Sequence, residues 1–175
     1  MIFASDLNTK LTQKVLFESF NLVAGADFSE IETVIFGKKQ GLMLKVEHIG
    51  IAVKNLSDSV PLFEKLLNSK CYKTEEVEDE KVKTAFLRNG ETKIELLESL
   101  DPDGVIAKYI DKKGEGVHHI AFEVADIESE ISRLEKEGFT VLNKTPKAGA
   151  DNKMICFLHP KTTNGVLIEL CMEKK

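Results

Sequence analysis

Two histidines and two glutamates occupy matching places in the two halves of this chain. His48 lies in the stretch VEHIGIAV and His119 in VHHIAFEV, while Glu95 and Glu169 lie in the later stretches KIELLE and VLIELC. A charged carboxylate inside an apolar stretch is costly to bury unless a partner neutralises it. Imidazole and carboxylate together suit an octahedral divalent ion with two positions left for water or substrate. The four residues predict a metal site.

The spacing of these residues indicates an internal repeat. His119 follows His48 by 71 positions, and Asp126 follows Asn55 by the same distance. Asn55 and Asp126 each precede an amphipathic helical stretch, where Asn and Asp are preferred N-caps. Because a strand, a cap and a helical stripe recur together, the repeat extends beyond one similar strand and defines two modules.

The elements that position the four residues follow the same order in each module: a strand, a helix and three strands. In the first module the strands are predicted at 46–53, 71–78, 81–89 and 92–100 and the helix at 55–68; in the second, at 116–124, 139–143, 154–160 and 165–172, with the helix at 126–138. A short helix at 105–110 connects them. We predict an α+β fold in which two paired βαβββ modules form a curved mixed sheet around the metal site.

Strand alternation assigns the side chains to the two faces of this sheet. His48 shares its face with Gly50 and Ala52, so space remains beside the imidazole, while the aliphatic residues face the helix. His119 is placed likewise in the second module. Its neighbour His118 is predicted on the opposite face, with a structural role, and His159 is predicted to lie in a turn.

The bulk composition excludes several classes of protein. The 175 residues are 42% hydrophobic and 30% charged, as in globular proteins, and the net charge of −5 argues against a nucleic-acid partner. Neither a membrane-spanning run nor a signal peptide is recognised, so a cytoplasmic location and no membrane partner are expected. Three cysteines without C-x-x-C spacing are expected to be reduced, with Cys156 and Cys171 buried.

The change in character near residue 42 predicts the domain organisation. Residues 1–42 form an N-terminal extension with amphipathic helical spacing and no assigned role. Residues 43–175 form the domain, with module one at 43–100 and module two at 115–175.

Four segments together resemble the methylmalonyl-CoA epimerases, a family of the vicinal oxygen chelate or glyoxalase-like superfamily. They are VEHIGIAV, TKIELLESLDPDGVIAKYI, GEGVHHIAFEV and FLHPKTTNGVLIEL, and the resemblance covers about residues 43–175. It implies the vicinal oxygen chelate fold, a homodimer, a role in propionate metabolism and a divalent cofactor such as cobalt, with manganese, nickel, zinc or magnesium as alternatives.

The resemblance also implies residue roles. His48, Glu95, His119 and Glu169 match the family's metal positions. We further predict that Glu95 and Glu169 also act as two bases, one from each module, which exchange a proton at the carbon between a carboxylate and a thioester. The implied substrate is methylmalonyl-CoA, whose (R) and (S) forms interconvert through a metal-stabilised enolate.

One position departs from the family, because Thr84 stands where some members carry a further carboxylate. Three alternatives stay open. They are a glyoxalase-I-like isomerase of a glutathione hemithioacetal, an iron oxygenase, which two carboxylates disfavour, and a non-catalytic small-molecule-binding protein.

Overall fold

The computed structural model describes residues 43–174, so the predicted extension at 1–42 lies outside the described residues. The strands are β1 (Met43–Ala52), β2 (Cys71–Val77), β3 (Val82–Asn89), β4 (Thr92–Ser99), β5 (Gly116–Val124), β6 (Lys147–Ala148), β7 (Lys153–Leu158) and β8 (Leu167–Glu173). The helices are α1 (Leu56–Leu67), α2 (Val105–Lys113) and α3 (Ile127–Lys136), and Glu78–Glu80 and Pro160–Thr162 form short 3-10 turns. Within this part of the chain, every helix is too short or too polar to cross a membrane.

The eight strands form one curled mixed sheet whose two halves have the same strand order, counted outward from the centre. Its order is β2-β3-β4-β1-β5-β8-β7-β6, so β1 and β5 meet at the centre. β1 pairs in parallel with β4, β5 pairs in parallel with β8, and β1 and β5 pair antiparallel. The predicted fold of paired βαβββ units is confirmed.

The helix of each unit begins at the predicted cap. The Asn55 side chain accepts a hydrogen bond from the backbone N–H of Asp58 at 3.0 Å, and Asp126 accepts one from that of Ser129 at 3.0 Å. These bonds satisfy donors that the first helical turn leaves without a partner. Both caps are therefore confirmed.

Two apolar clusters hold α1 and α3 against one face of the sheet. α1 packs on a cluster that includes Leu56, Ile94 and Leu96, and α3 packs on one that includes Ile131 and Leu170. Because the aliphatic side chains of the strands point to this face, the alternate side chains point to the opposite, concave face. The histidines and glutamates of interest belong to that face.

The predicted strand at 139–143 is wrong. Only an isolated bridge between Val141 and Leu158 forms there, and the edge strand lies later, at Lys147–Ala148. The Asn143 side chain accepts from the backbone N–H of Phe157 at 2.9 Å and donates to the carbonyl of Ile155 at 3.3 Å. The Asn143 side chain thus takes hydrogen bonds of β7 that a neighbouring strand would otherwise make, so no regular strand pairing forms at 139–143.

Two irregularities in the central β1–β5 pairing matter for the site. Val46 opposes Phe122 and His48 opposes Ala121, so Glu47 is an extra residue in β1. Farther along, Gly50 opposes His119 while Ile51 opposes Val117, so His118 is an extra residue in β5. Such bulges interrupt strict alternation and redirect side chains.

The three cysteines are free thiols, and Cys156 and Cys171 are buried as predicted. Burial raises the pKa of Cys156 to about 11 and raises that of Cys171 as well. Both therefore stay protonated at neutral pH, which indicates packing roles.

Candidate metal centre

The two strands at the middle of the sheet bring His48 and His119 together. Their Nε2 atoms are 3.0 Å apart, and the rings meet edge to face at a centroid distance of 5.1 Å. Both side chains are buried. The absence of a side chain on Gly50 makes room, since a Cβ there would lie 2.2 Å from Cε1 of His119.

The two glutamates reach the imidazoles from the strands on either side. Glu95, on β4, has Oε2 at 3.3 Å from Nε2 of His48 and 3.5 Å from Nε2 of His119. Glu169, on β8, has Oε1 at 3.9 Å from Nε2 of His48 and Oε2 at 3.5 Å from Nε2 of His119. Both carboxylates are buried. All four residues singled out from the sequence thus lie together.

The chemistry of these donors fits a divalent cation. Two Nε2 atoms face each other, and ligand atoms of His48, Glu95 and His119 lie within 4.8 Å of one another. Such a concentration of buried acceptors is costly unless positive charge neutralises it. Two nitrogen and two oxygen ligands leave open positions on an octahedral ion, which a substrate can occupy.

The two carboxylates differ in electrostatic environment in the apoprotein. Burial opposes ionisation of Glu95, but its contacts with both imidazoles prevail and hold its pKa below the usual range. Burial dominates at Glu169 and raises its pKa, since that carboxylate interacts with the imidazoles only through space. Burial also opposes a charge on His48, yet Glu47 and Glu95 raise its pKa to about 10.

Sequence reasoning missed Glu47. Its Oε2 lies 2.6 Å from Nδ1 of His48, on the side of the ring away from the other three residues, and the side chain is only 3% exposed. Lys93 contacts Glu47 closely, and Nζ of Lys153 lies 3.5 Å from it. Burial opposes ionisation, but the bonds from His48 and Lys93 lower the pKa of Glu47 to about 2. Glu47 is therefore a carboxylate at neutral pH.

The predicted face of His118 is wrong. Its side chain lines the same cavity as His119, and the two Nδ1 atoms are 3.0 Å apart. The bulge in β5 explains the difference, because it places two successive side chains toward one region. Glu47 and His118 are themselves 71 positions apart, so the repeat already offered a signal for both. The turn position of His159 is confirmed, since Nδ1 accepts from the backbone N–H of Lys161.

A cavity of about 380 Å³ opens over the four residues. Its wall is largely apolar and includes Phe86, Leu97, Ile106, Phe157 and Leu167. Thr84 also lines it, with its hydroxyl donating to the carbonyl of Glu75 at 3.4 Å. A cavity with an apolar wall and a few convergent polar groups is the usual form of a small-molecule site.

One loop of the second half closes part of this cavity by ion pairs with the first half. Asp151, between β6 and β7, lies 2.7 Å from Nζ of Lys93 and 3.1 Å from Nζ of Lys73. Its backbone N–H donates to Glu75 at 3.1 Å. The loop is thus fastened to β2 and β4 beside the site.

The profile of the glyoxalase/bleomycin resistance protein/dioxygenase superfamily matches residues 47–157. A Cereibacter sphaeroides protein named ethylmalonyl-CoA/methylmalonyl-CoA epimerase is 37% identical over 128 residues, covering 72% of this chain and 96% of that protein. The mitochondrial methylmalonyl-CoA epimerase of Dictyostelium discoideum is 36% identical over 127 residues, covering 72% of this chain and 76% of that protein.

A solved structure agrees with these relatives. A variant of Streptomyces coelicolor methylmalonyl-CoA epimerase in complex with 2-nitronate-propionyl-CoA superimposes with a TM-score of 0.72 at 33% identity. The superposition covers 75% of this chain and 96% of that one. The chain therefore belongs to the glyoxalase/bleomycin resistance protein/dioxygenase superfamily and, within it, to the methylmalonyl-CoA epimerase family.

Proposed function

We propose that this protein is a metal-dependent epimerase that interconverts the (R) and (S) forms of methylmalonyl-CoA by 1,1-proton transfer. The observation that carries the proposal is the convergence of His48, Glu95, His119 and Glu169 at the base of an apolar cavity. The named activities of the relatives supply the substrate, an acyl-CoA thioester. A homodimer is part of the same proposal, and sedimentation equilibrium would test it.

His48, Glu95, His119 and Glu169 are the residues that would hold the cation. A divalent ion bound there supplies Lewis acidity, which lowers the energy of negative charge on the substrate oxygens beside the reacting carbon. The apolar wall around the site excludes water, so electrostatic stabilisation is stronger there than in solvent. Cobalt is the proposed ion, with manganese, nickel, zinc and magnesium as alternatives.

Glu95 and Glu169 are proposed to exchange the proton. One carboxylate accepts the proton from the carbon between the thioester and the carboxylate, and the electron pair of the broken C–H bond passes into the enolate. The other glutamate, as a carboxylic acid, returns a proton to the opposite face of that carbon. The two glutamates have then swapped protonation states, and exchange with solvent restores them.

The positions of the two glutamates support the proposed exchange. Glu95 lies on β4 and Glu169 on β8, and both carboxylates are buried beside the imidazoles. β4 and β8 also lie on different sides of the central strand pair.

The direct test uses one epimer of methylmalonyl-CoA in D2O. We expect deuterium to enter at the substrate carbon and the other epimer to form, as measured by a coupled assay with a stereospecific mutase. A chelator should abolish both, and added Co²⁺ should restore them. An isomerase of glutathione hemithioacetals or a non-catalytic binding protein would leave the substrate carbon unlabelled.

The roles of the two glutamates are tested with Glu95→Gln and Glu169→Gln, with metal content measured in each. If metal is retained, we expect deuterium exchange to fall by about 10²- to 10⁴-fold, the usual contribution of a positioned acid or base. Glu123→Gln, on β5 and partly exposed, is the matched control and should exchange normally. Wild-type exchange rates in both metal-loaded variants would contradict these roles.

A further inference from the structure

We infer that Glu47 and His118 are a matched pair of positioning residues, which fix His48 and His119 from behind so that Nε2 of each imidazole faces the cation. The inference rests on the proposed metal site, and it deepens that proposal by adding one residue from each half. Its starting point is the pair of bulges in the central strands.

The first bulge brings Glu47 to the rear of the His48 ring. Regular alternation would place adjacent side chains on opposite faces, but Glu47 is the extra residue in β1, and its carboxylate lies 2.6 Å from Nδ1 of His48. Lys93 and Lys153 hold the carboxylate in turn. Glu47 therefore has one orientation, and that orientation determines where the ring of His48 points.

The second bulge brings His118 to the rear of the His119 ring. This residue is the extra one in β5, and its Nδ1 lies 3.0 Å from Nδ1 of His119. The rings of Tyr109 and His118 pack edge to face with a centroid distance of 4.9 Å, which restrains the orientation of His118. Glu47 and His118 occupy equivalent places in the repeat, so each half of the fold contains the same device.

The hydrogen-bond chemistry determines the tautomers. An imidazole that binds a cation through Nε2 carries its proton on Nδ1, and that N–H needs an acceptor. For His48 the acceptor is the carboxylate of Glu47. For His119 it is the unprotonated Nδ1 of His118, which requires His118 to be neutral with its proton on Nε2.

The two acceptors differ in strength, so the two halves hold the cation unequally. A carboxylate is a stronger acceptor than a neutral imidazole and makes the attached ring a better electron donor. We expect His48 to be the stronger ligand. Replacing Glu47 should then cost more affinity than replacing His118.

The test measures Co²⁺ binding, without substrate, by calorimetry and by the visible spectrum of the bound ion. We expect Glu47→Ala and His118→Ala to raise the Co²⁺ dissociation constant by about 10- to 100-fold, the usual effect of removing such an acceptor. Glu47→Gln and His118→Asn keep an acceptor oxygen and should recover most of the affinity. Val117→Ala, on the same strand as His118 and half exposed, is the matched control and should bind normally.

Co²⁺ dissociation constants within about twofold of wild type in both alanine variants would overturn the inference while leaving the proposed metal site intact. Failure of the wild-type protein to bind Co²⁺ would overturn the metal site and this inference together. If an alanine variant does not fold, the tautomers of the two histidines test the inference instead. Long-range ¹⁵N–¹H spectra of the Zn²⁺-loaded wild type should show His48 and His119 protonated at Nδ1. Ligation through Nδ1 of either ring would contradict the inference.

Discussion

Gly50 is as important to the proposed site as the polar residues, because the ring of His119 occupies the space that a side chain would fill. A Cβ at this position would lie within 2.6 Å of three atoms of that ring. The equivalent residue in the other half is Ala121, which opposes His48 in the strand register. The two halves therefore differ by one methyl group at the same structural position.

We expect Gly50→Ala to weaken Co²⁺ binding by at least about 10-fold, because His119 must move or rotate away from the other ligands. Misplacing a ligand by about an ångström is enough to lose a well-formed site. Titration calorimetry with Co²⁺ measures the effect, and circular dichroism verifies the fold. Ala121→Gly is the matched control and should keep its affinity within about threefold. Normal affinity in Gly50→Ala would show that the ring position is not limiting.

The four proposed ligands could be found from the sequence because the repeat and strand alternation both select them: the histidines are 71 positions apart, and the glutamates are 74 apart. Glu47 and His118 could not be oriented in that way, since a bulge is a property of two paired strands, whereas alternation considers one strand alone. The orientation of the Asn143 side chain toward β7 likewise depends on a partner distant in sequence. Each of these three orientations depends on pairing between segments that are distant in sequence, and the pattern of residues within one segment does not contain that information.

At the level of elements, the N-caps show how a few residues start each helix. Asn55→Ala should lower the free energy of unfolding by about 1 kcal/mol, because the N–H of Asp58 loses its acceptor. Urea denaturation measures this loss, and the exposed neighbour Lys54→Ala serves as control. Equal stability of Asn55→Ala and wild type would indicate that water replaces the cap without cost.

The loop between β6 and β7 adds a pH-dependent element. The neighbouring Lys93 and Lys73 outweigh burial and depress the pKa of Asp151 below its usual 3.8. A depressed carboxyl pKa stabilises the folded state above the unfolded pKa, and that contribution is lost as the pH falls through the folded value. The fastening of the loop should therefore persist at neutral pH and weaken in acid.

Asp151→Asn tests this contribution, since Asn also tolerates the φ of +52° at this position. Above about pH 5 we expect the variant to be less stable by about 1–3 kcal/mol, the range for hydrogen bonds to charged groups. The difference between wild type and variant should shrink as the pH falls below 3.8. Urea unfolding at a series of pH values measures it, and a pH-independent difference would contradict the assignment.

At the level of the whole molecule, the proposed site joins two halves that each hold an incomplete ligand set. His48 and Glu95 come from the first half, and His119 and Glu169 from the second. Antiparallel pairing of β1 with β5 is the direct backbone connection between the halves. A cation bound by all four residues would add a second connection, so metal binding and global stability should be linked.

This linkage gives a prediction for thermal unfolding. At a free Co²⁺ concentration 100 times the dissociation constant, the folded protein should gain about 2.7 kcal/mol, which corresponds to a Tm increase of about 5–10 °C for a chain of this size. His119→Ala should lose most of this increase, because the second half then contributes only Glu169. His159→Ala, in a turn away from the cavity, should retain it. The same increase in His119→Ala and wild type would mean that Co²⁺ stabilises the protein elsewhere, and that the two halves are not joined through these four residues.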